Sequence, residues 1–300
     1  MNRHRTAWQG ALPAFLLLLF LALIFLSIRQ SGSQEKEMTE EIPLQPQPQV
    51  EEAPSVPRQG ESLYAGTSCW LSQCLSKQDR QMLREAFTLE DEEVYSFLQG
   101  PKSWKARRPW SGSWCRFRVE GNPFGGFGCG LCCMANIYNT LSPYEVSPLD
   151  MYDYARAVSN YSPSGAVGAI DWRDMRDSLK NCGFSCKLYK KPGSFQRFKK
   201  QIAKAKSAIV LVSSYEDDAY WQDTPGHYVN IWLYREEDGT VFLAEPGDPD
   251  KNRSRIPLRY VYDALKTSNQ FQYLTVKGYT EEANQWKADG ISVKWKRPKG

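Results

Sequence analysis

The stretch from Gly121 to Leu141, GNPFGGFGCGLCCMANIYNTL, constrains the fold more than any other part of the chain. Glycines at 121, 125, 126, 128 and 130 surround Cys129, and glycine is used where backbone must turn tightly or be closely approached. After Gly130, the residues Leu131, Met134, Ile137, Tyr138 and Leu141 recur at helical spacing. The spacing predicts a buried helix that starts at Cys129 and ends near Thr140. At a helix start, free N–H groups and the positive end of the macrodipole favour thiolate over thiol. The competing reading of a lone cysteine is an ordinary small core residue.

The deciding residues lie far downstream. The chain has two histidines, His4 and His227, so imidazole chemistry in the folded part rests on His227. It opens the run HYVNIWLY, directly after Thr224-Pro225-Gly226. Asp238-Gly239 then separates that run from TVFLAEP, a strong hairpin signal. The second strand ends in Ala244-Glu245-Pro246-Gly247-Asp248, which sets a carboxylate across from His227. There it can orient the ring as the third member of a nucleophile, base and orienter arrangement. Strand register favours Glu245, and Asp248, past the turn, is its competitor.

The remaining segments frame this site. Ala11 to Ile28 is an uncharged, mostly apolar run, ~27 Å long as a helix, which is enough to span a hydrocarbon core. Arg3 and Arg5 before it favour a cytoplasmic N-terminus (1–10), with everything after Arg29 outside. The run reads as an uncleaved anchor rather than a signal peptide, because LSIRQSGSQ offers no A-x-A site. Residues 29–60, rich in Gln, Glu, Pro and Ser, read as a disordered stalk. A lead-in segment, 61–113, carries a helical region from Ser76 to Leu98, interrupted by an acidic turn at Glu90 to Glu93, with Cys69 and Cys74 at its start, either paired or free. The basic, aromatic stretch PKSWKARRPWSGSW reads either as a packed loop or as a ligand-binding ledge built on Trp104, Trp110 and Trp114 with Arg107 and Arg108.

Within the main domain, 114–300, Ser147-Pro148, Asp171 and Ser194 each open a helix. Strands are expected at Phe184 to Tyr189, from Ala208, at the hairpin, and near Phe271 to Val276. A helix-rich first half and an antiparallel, sheet-rich second half make the fold class α+β. The 38 basic and 34 acidic side chains leave a net charge of only +4, which excludes a dedicated nucleic-acid binder. Eight cysteines without recurring CxxC spacing exclude a structural zinc site, and the chemistry needs no metal or cofactor.

Taken in order, GFGCGLCCMANIYNTL, VSPLDMYDYA, a second helix with a Gly stop, GHYVNIWLY and DGTVFLAEP resemble the papain-like cysteine peptidases of the bacteriocin-leader-processing (double-glycine peptidase-like) family. The likeness is to their bacterial branch with a Gly-Cys-Gly turn, and it covers Trp114 to Tyr279. It implies a papain-like two-lobed fold and a peptide or protein substrate. Cys129 would be the nucleophile, His227 the general base and Glu245 the acid. The departures are Leu131 where that family has Pro, Glu245 where it has Asp, and Pro123 where it has the oxyanion Gln. Asn122, or a Gln elsewhere in the fold, would have to replace that donor. Cys132 and Cys133 read as core thiols or as partners of Cys115, without a catalytic role. The alternatives to a peptidase are a degenerate papain-like domain that binds peptide or cell-wall polymer, and another acyl transfer by the same pair of residues.

Overall fold

A computed structural model describes residues 89–164 and 168–299. The anchor at 11–28, the stalk at 29–60, Cys69, Cys74 and the helical start at Ser76 lie outside the described residues. Among the described residues no helix is long and apolar enough to cross a membrane.

In chain order the elements are α1 (Pro101–Lys105), β1 (Arg118–Val119), β2 (Asn122–Pro123), α2 (Phe124–Phe127), α3 (Cys129–Leu141), α4 (Pro148–Val158), α5 (Trp172–Asn181), β3 (Cys182–Tyr189), α6 (Phe195–Ile202), β4 (Ser207–Val212), β5 (His227–Trp232), β6 (Thr240–Ala244), β7 (Ser254–Pro257), α7 (Leu258–Asp263) and β8 (Tyr273–Asn284). Helices dominate the first half and an antiparallel sheet the second, an α+β arrangement.

The starts of the helices follow local chemistry. Ser147 Oγ accepts the Asp150 N–H at 3.1 Å while the Asp150 carboxylate accepts the Ser147 N–H at 2.7 Å, and Pro148 fills the first helical position of α4. Asp171 Oδ1 accepts the N–H groups of Arg173 and Asp174 at 2.7 and 3.0 Å, and Ser194 caps α6 in the same way. Gly239, at φ +68°, turns the hairpin between β5 and β6, and the Asp238 carboxylate accepts the Thr240 N–H at 3.0 Å.

Six strands form one antiparallel sheet in the order β3-β8-β4-β5-β6-β7. Alternation sorts their side chains onto two faces. Ile209, Leu211, Tyr228, Trp232 and Phe242 join the core built on α3, α4 and α5. Val210, Val229, Ile231, Val241 and Leu243 join a second core with Phe198 of α6 and Val261 of α7. Helices therefore cover both faces, and central strand β4 is buried at every position.

Helix α3 is buried from Cys129 through Thr140, so it has no solvent face, and its apolar spacing marks only part of what it buries. Its polar residues are bonded inward. Asn139 pairs with the backbone of Val146 in both directions at 2.9 Å, and Asn136 accepts the Phe97 N–H at 2.9 Å. Gly130 lets this helix approach its neighbours, since a Cβ there would lie 2.8 Å from Ile170 Cγ2 and 3.0 Å from Met175 Cε. Gly130→Ala is expected to destabilise the fold by about 1–2 kcal/mol, read as a lower urea midpoint: overpacking outweighs the gain in helix propensity.

One expectation is corrected. The acidic turn is present, as one 3-10 turn at Asp91–Glu93, but the residues after it are not helical: Val94 to Gln99 belong to no helix or strand. Tertiary partners take the N–H groups that a helix would use. Thr140 Oγ1, Asn136 Oδ1, Trp110 O and Pro246 O accept from Tyr95, Phe97, Leu98 and Gln99. Val94, Phe97 and Leu98 thereby enter the same core as α3. The basic, aromatic loop packs likewise, with Trp110 and Trp114 buried and α1 forming its start. Of the two readings of Cys132 and Cys133, core thiols or partners of Cys115, the structure has the first: all three thiols are free and buried.

Candidate active site

The sequence folds so that three element ends meet. Cys129 is the first residue of α3, His227 the first of β5, and Glu245 directly follows the last residue of β6. On the paired strands β5 and β6, Asn230 faces Ala244, so alternation puts His227 and Glu245 on the same face. The thiol of Cys129 hydrogen-bonds to the His227 ring, and the N–H groups of Tyr228 and Gly130 are directed at the sulfur. On the other side, His227 Nε2 hydrogen-bonds to Glu245 Oε1. That contact leaves Nδ1 to face the sulfur.

The carboxylate of Glu245 is held on all sides. Its Oε1 also accepts the Gly247 N–H at 2.9 Å, Oε2 accepts the Trp221 indole N–H at 2.9 Å, and its backbone N–H donates to Asn252 Oδ1 at 2.9 Å. Glu245 is 1% exposed and the His227 side chain 13%. Asp248 lies at the surface, where its Oδ1 accepts the Asp250 N–H at 2.9 Å and its carboxylate pairs with Lys251. Of the two candidate acids, then, the structure brings Glu245 to the imidazole and leaves Asp248 outside.

Burial opposes charge on all three groups, and their mutual contacts overcome it. Desolvation alone would push the Cys129 thiol up, but the His227 hydrogen bond and charge carry it below its ordinary value of 9.0. Desolvation would depress His227, yet the Glu245 charge and the bond to Cys129 hold it well above 6.5. Glu245 in turn lies below 4.5, despite its burial, because of the His227 charge and bonds from His227, Trp221 and Gly247. All three shifts run in the direction that favours a thiolate beside an imidazolium that rests on a carboxylate. Cys132 and Cys133 show the opposite behaviour, because burial pushes both thiols well up.

The other expected residue, Asn122, sits on β2 with its side-chain oxygen against Gly126, three residues before Cys129; a Cβ on Gly126 would lie 2.8 Å from Oδ1. A glutamine from elsewhere in the fold also reaches this region. The Gln99 N–H donates to Pro246 O at 2.8 Å and its side-chain amide donates to Gly125 O at 2.8 Å, joining the α2 side of the site to the Glu245 side.

Trp221, Asn252, Gln99 and Gly247 are absent from the sequence reading as site residues. The first three sit on irregular segments without periodic signal. Gly247 carried a usable sign, being a glycine two residues past the proposed acid. A Cβ there would lie 3.1 Å from both Cε1 and Nε2 of His227, so the ring would have to shift by a few tenths of an ångström. Gly247→Ala is expected to slow alkylation of Cys129 about tenfold while leaving the urea midpoint nearly unchanged, because small displacements of a catalytic group are costly.

No family model and no curated protein matches the chain. Among solved structures, it is similar to the peptidase domain of Streptococcus ComA, a bifunctional ABC transporter involved in a quorum-sensing pathway. Identity is 14% and the TM-score 0.33, over 50% of this chain and 91% of that one. A likeness this distant is set aside, and function is read from the geometry of the site.

Proposed function

We propose that this protein is a papain-like thiol hydrolase that cleaves peptide or amide bonds through an acyl-enzyme. The observation that carries the reading is the unbroken contact from the Cys129 thiol through the His227 ring to the buried Glu245 carboxylate. The Cys129 thiolate attacks the carbonyl carbon, and the carbonyl electron pair moves to oxygen. As the tetrahedral adduct collapses, the imidazolium of His227 gives its proton to the leaving amine and the C–N bond breaks. Neutral His227 then takes a proton from water, the resulting hydroxide attacks the thioester, and the C–S bond breaks to release the carboxylic acid, which loses its proton to solvent, and Cys129 as thiolate beside an imidazolium. Glu245 keeps its charge throughout and holds the ring in place. Residues 11–28 would anchor the chain in a membrane, with the catalytic domain on the outer side.

The developing oxyanion needs donors, and first-turn N–H groups of a helix lack acceptors within it. The Cys129 N–H of α3 fills this role in our reading, with the Asn122 amide as second donor. Asn122→Ala is expected to lower kcat by ~10²-fold with little change in KM, the pattern of a contact made only in the transition state.

The non-hydrolysing alternative, a peptide- or polymer-binding domain, draws on Pro123 standing where the resemblance calls for Gln. The burial of Trp110 and Trp114 removes two of the three tryptophans of the ledge that it would use. A digest of a mixed peptide library by the full chain, with and without prior treatment by iodoacetamide, tests the proposal. Cleavage that disappears in proportion to Cys129 alkylation supports it; a library left intact by the untreated protein contradicts it.

A further inference from the structure

Two remote segments of this chain carry many cations and no acid. Residues 101–118 contain Lys102, Lys105, Arg107, Arg108, Arg116 and Arg118, and residues 292–299 contain Lys294, Lys296, Arg297 and Lys299. The fold pairs them directly. The Trp110 N–H donates to Lys296 O, the Ser113 N–H to Lys294 O and the Lys296 N–H to Ser111 O, each at 2.8 Å, and Gly112 bridges to Trp295. In a chain whose charges nearly balance overall, this pairing concentrates positive charge on one face.

That face is concave. A groove of about 680 Å³ is lined by Pro101, Trp104, Lys105, Arg107, Arg116 and Lys296, with the buried Cys115 beneath it. Two neighbouring cations already have partners, Arg108 with Asp250 and Arg297 with Glu145. Among the described residues, Lys105, Arg107, Arg116 and Lys296 have no carboxylate within ion-pair distance, and all four are exposed. Four unneutralised cations within one groove repel one another at ordinary ionic strength, and an anionic ligand relieves that repulsion. Trp104 adds an apolar, π-faced wall.

One wall of the groove touches the turn that leads into the catalytic helix. Pro101 forms that wall and packs against Gly125, where a Cβ would lie 3.2 Å from Pro101 Cδ. Gly125 stands one helical turn before Cys129 and accepts the Gln99 amide. Gly125 thus ties a wall of the groove to the turn that presents the sulfur.

We propose that this groove binds an acidic segment of the peptide substrate, flanking the bond that Cys129 attacks. The assignment rests on the hydrolase reading and names the class of substrate for it. The contact of Pro101 with Gly125, which ties the groove to the turn that carries Cys129, favours peptide over an anionic membrane surface, which would need no such tie.

The test uses the full chain, fluorescein-labelled (Glu-Gly)₅, its (Gln-Gly)₅ counterpart, and vesicles of phosphatidylglycerol and phosphatidylcholine. The Glu peptide is expected to bind at least tenfold tighter than the Gln peptide, more weakly as salt is raised, and to slow alkylation of Cys129 at saturation. The double variant Arg107→Glu/Arg116→Glu is expected to lose that binding at least tenfold, while its Cys129 alkylates at the wild-type rate without peptide, which reports an intact fold. Equal binding of both peptides, binding unaffected by charge reversal, or binding that leaves alkylation unprotected overturns the assignment. So does vesicle binding through Arg107 and Arg116 without peptide binding. The rate of Cys129 alkylation without peptide reports separately on the hydrolase reading, so failure of the groove and failure of the thiol site are distinguishable.

Discussion

Replacing His227 by asparagine is expected to slow alkylation of Cys129 at pH 6 by ~10²-fold or more, and to abolish measurable hydrolysis. The thiol is 8% exposed, and desolvation is the largest influence on it, acting to keep the proton. The His227 hydrogen bond and charge are the leading opposing contacts; the N–H groups of Tyr228 and Gly130 add less. A neutral amide in place of the ring offers no positive charge, so the sulfur would behave like Cys132 and Cys133, which burial holds protonated. Hydrolysis suffers further, since no group remains to protonate the leaving amine. Competitive labelling of the three thiols, resolved by fragment mass spectrometry, measures the change directly.

The second large effect is expected at Glu245. Glu245→Gln keeps a side chain of the same shape in place but removes the charge that is the leading cause of the raised His227 value. The ring then loses its proton at lower pH, and the thiolate loses its partner with it. We expect kcat to fall by ~10³–10⁴-fold, as when the orienting acid of a triad is neutralised, with the urea midpoint lowered only modestly. Glu245→Ala is harsher, because it leaves the His227 ring and the Trp221 indole unpaired in the interior; breaking a buried charge pair costs ~3–5 kcal/mol. In the wild type the pH–rate profile is expected to be a bell. Its acid limb falls as pH drops through the lowered Cys129 value, and its alkaline limb falls as pH rises through the raised His227 value. In Glu245→Gln the alkaline limb moves toward lower pH and the bell narrows. The limbs are macroscopic values of a coupled pair.

Much of this site was legible because its parts sit where sequence signals are strong. Cys129 stands at the junction of a glycine cluster and a long apolar helix, and His227 and Glu245 at the two open ends of a hairpin whose turn is Asp238-Gly239. Period-two alternation then puts the ring and the acid on one face without any three-dimensional information. The caps Ser147, Asp171 and Ser194 were readable because each acts on its own next turn.

What stayed hidden depends on contacts between distant segments. Val94 to Leu98 has apolar residues at spacings that suit a helix, but its N–H groups are taken by acceptors on α3 and at Trp110 instead. The strand β7 and the helix α7 are too short to show a period. β8 extends to Asn284 because β3 pairs along it, and its second half, KGYTEEAN, carries too little apolar alternation to announce a strand. Trp221 and Gln99 join the site from loops, and nothing in their own neighbourhoods points there. The merging of two basic segments by backbone pairing between residues near 111 and 296 is likewise a property of the folded chain alone.

Whether an imidazole ionises one particular thiol is decided by the rate of Cys129 alkylation with iodoacetamide followed from pH 4 to pH 10. Reactivity that is already high in mild acid, with a midpoint below the ordinary 9.0, is the predicted result. A single rise centred at or above 9.0, in step with Cys132 and Cys133, would contradict it.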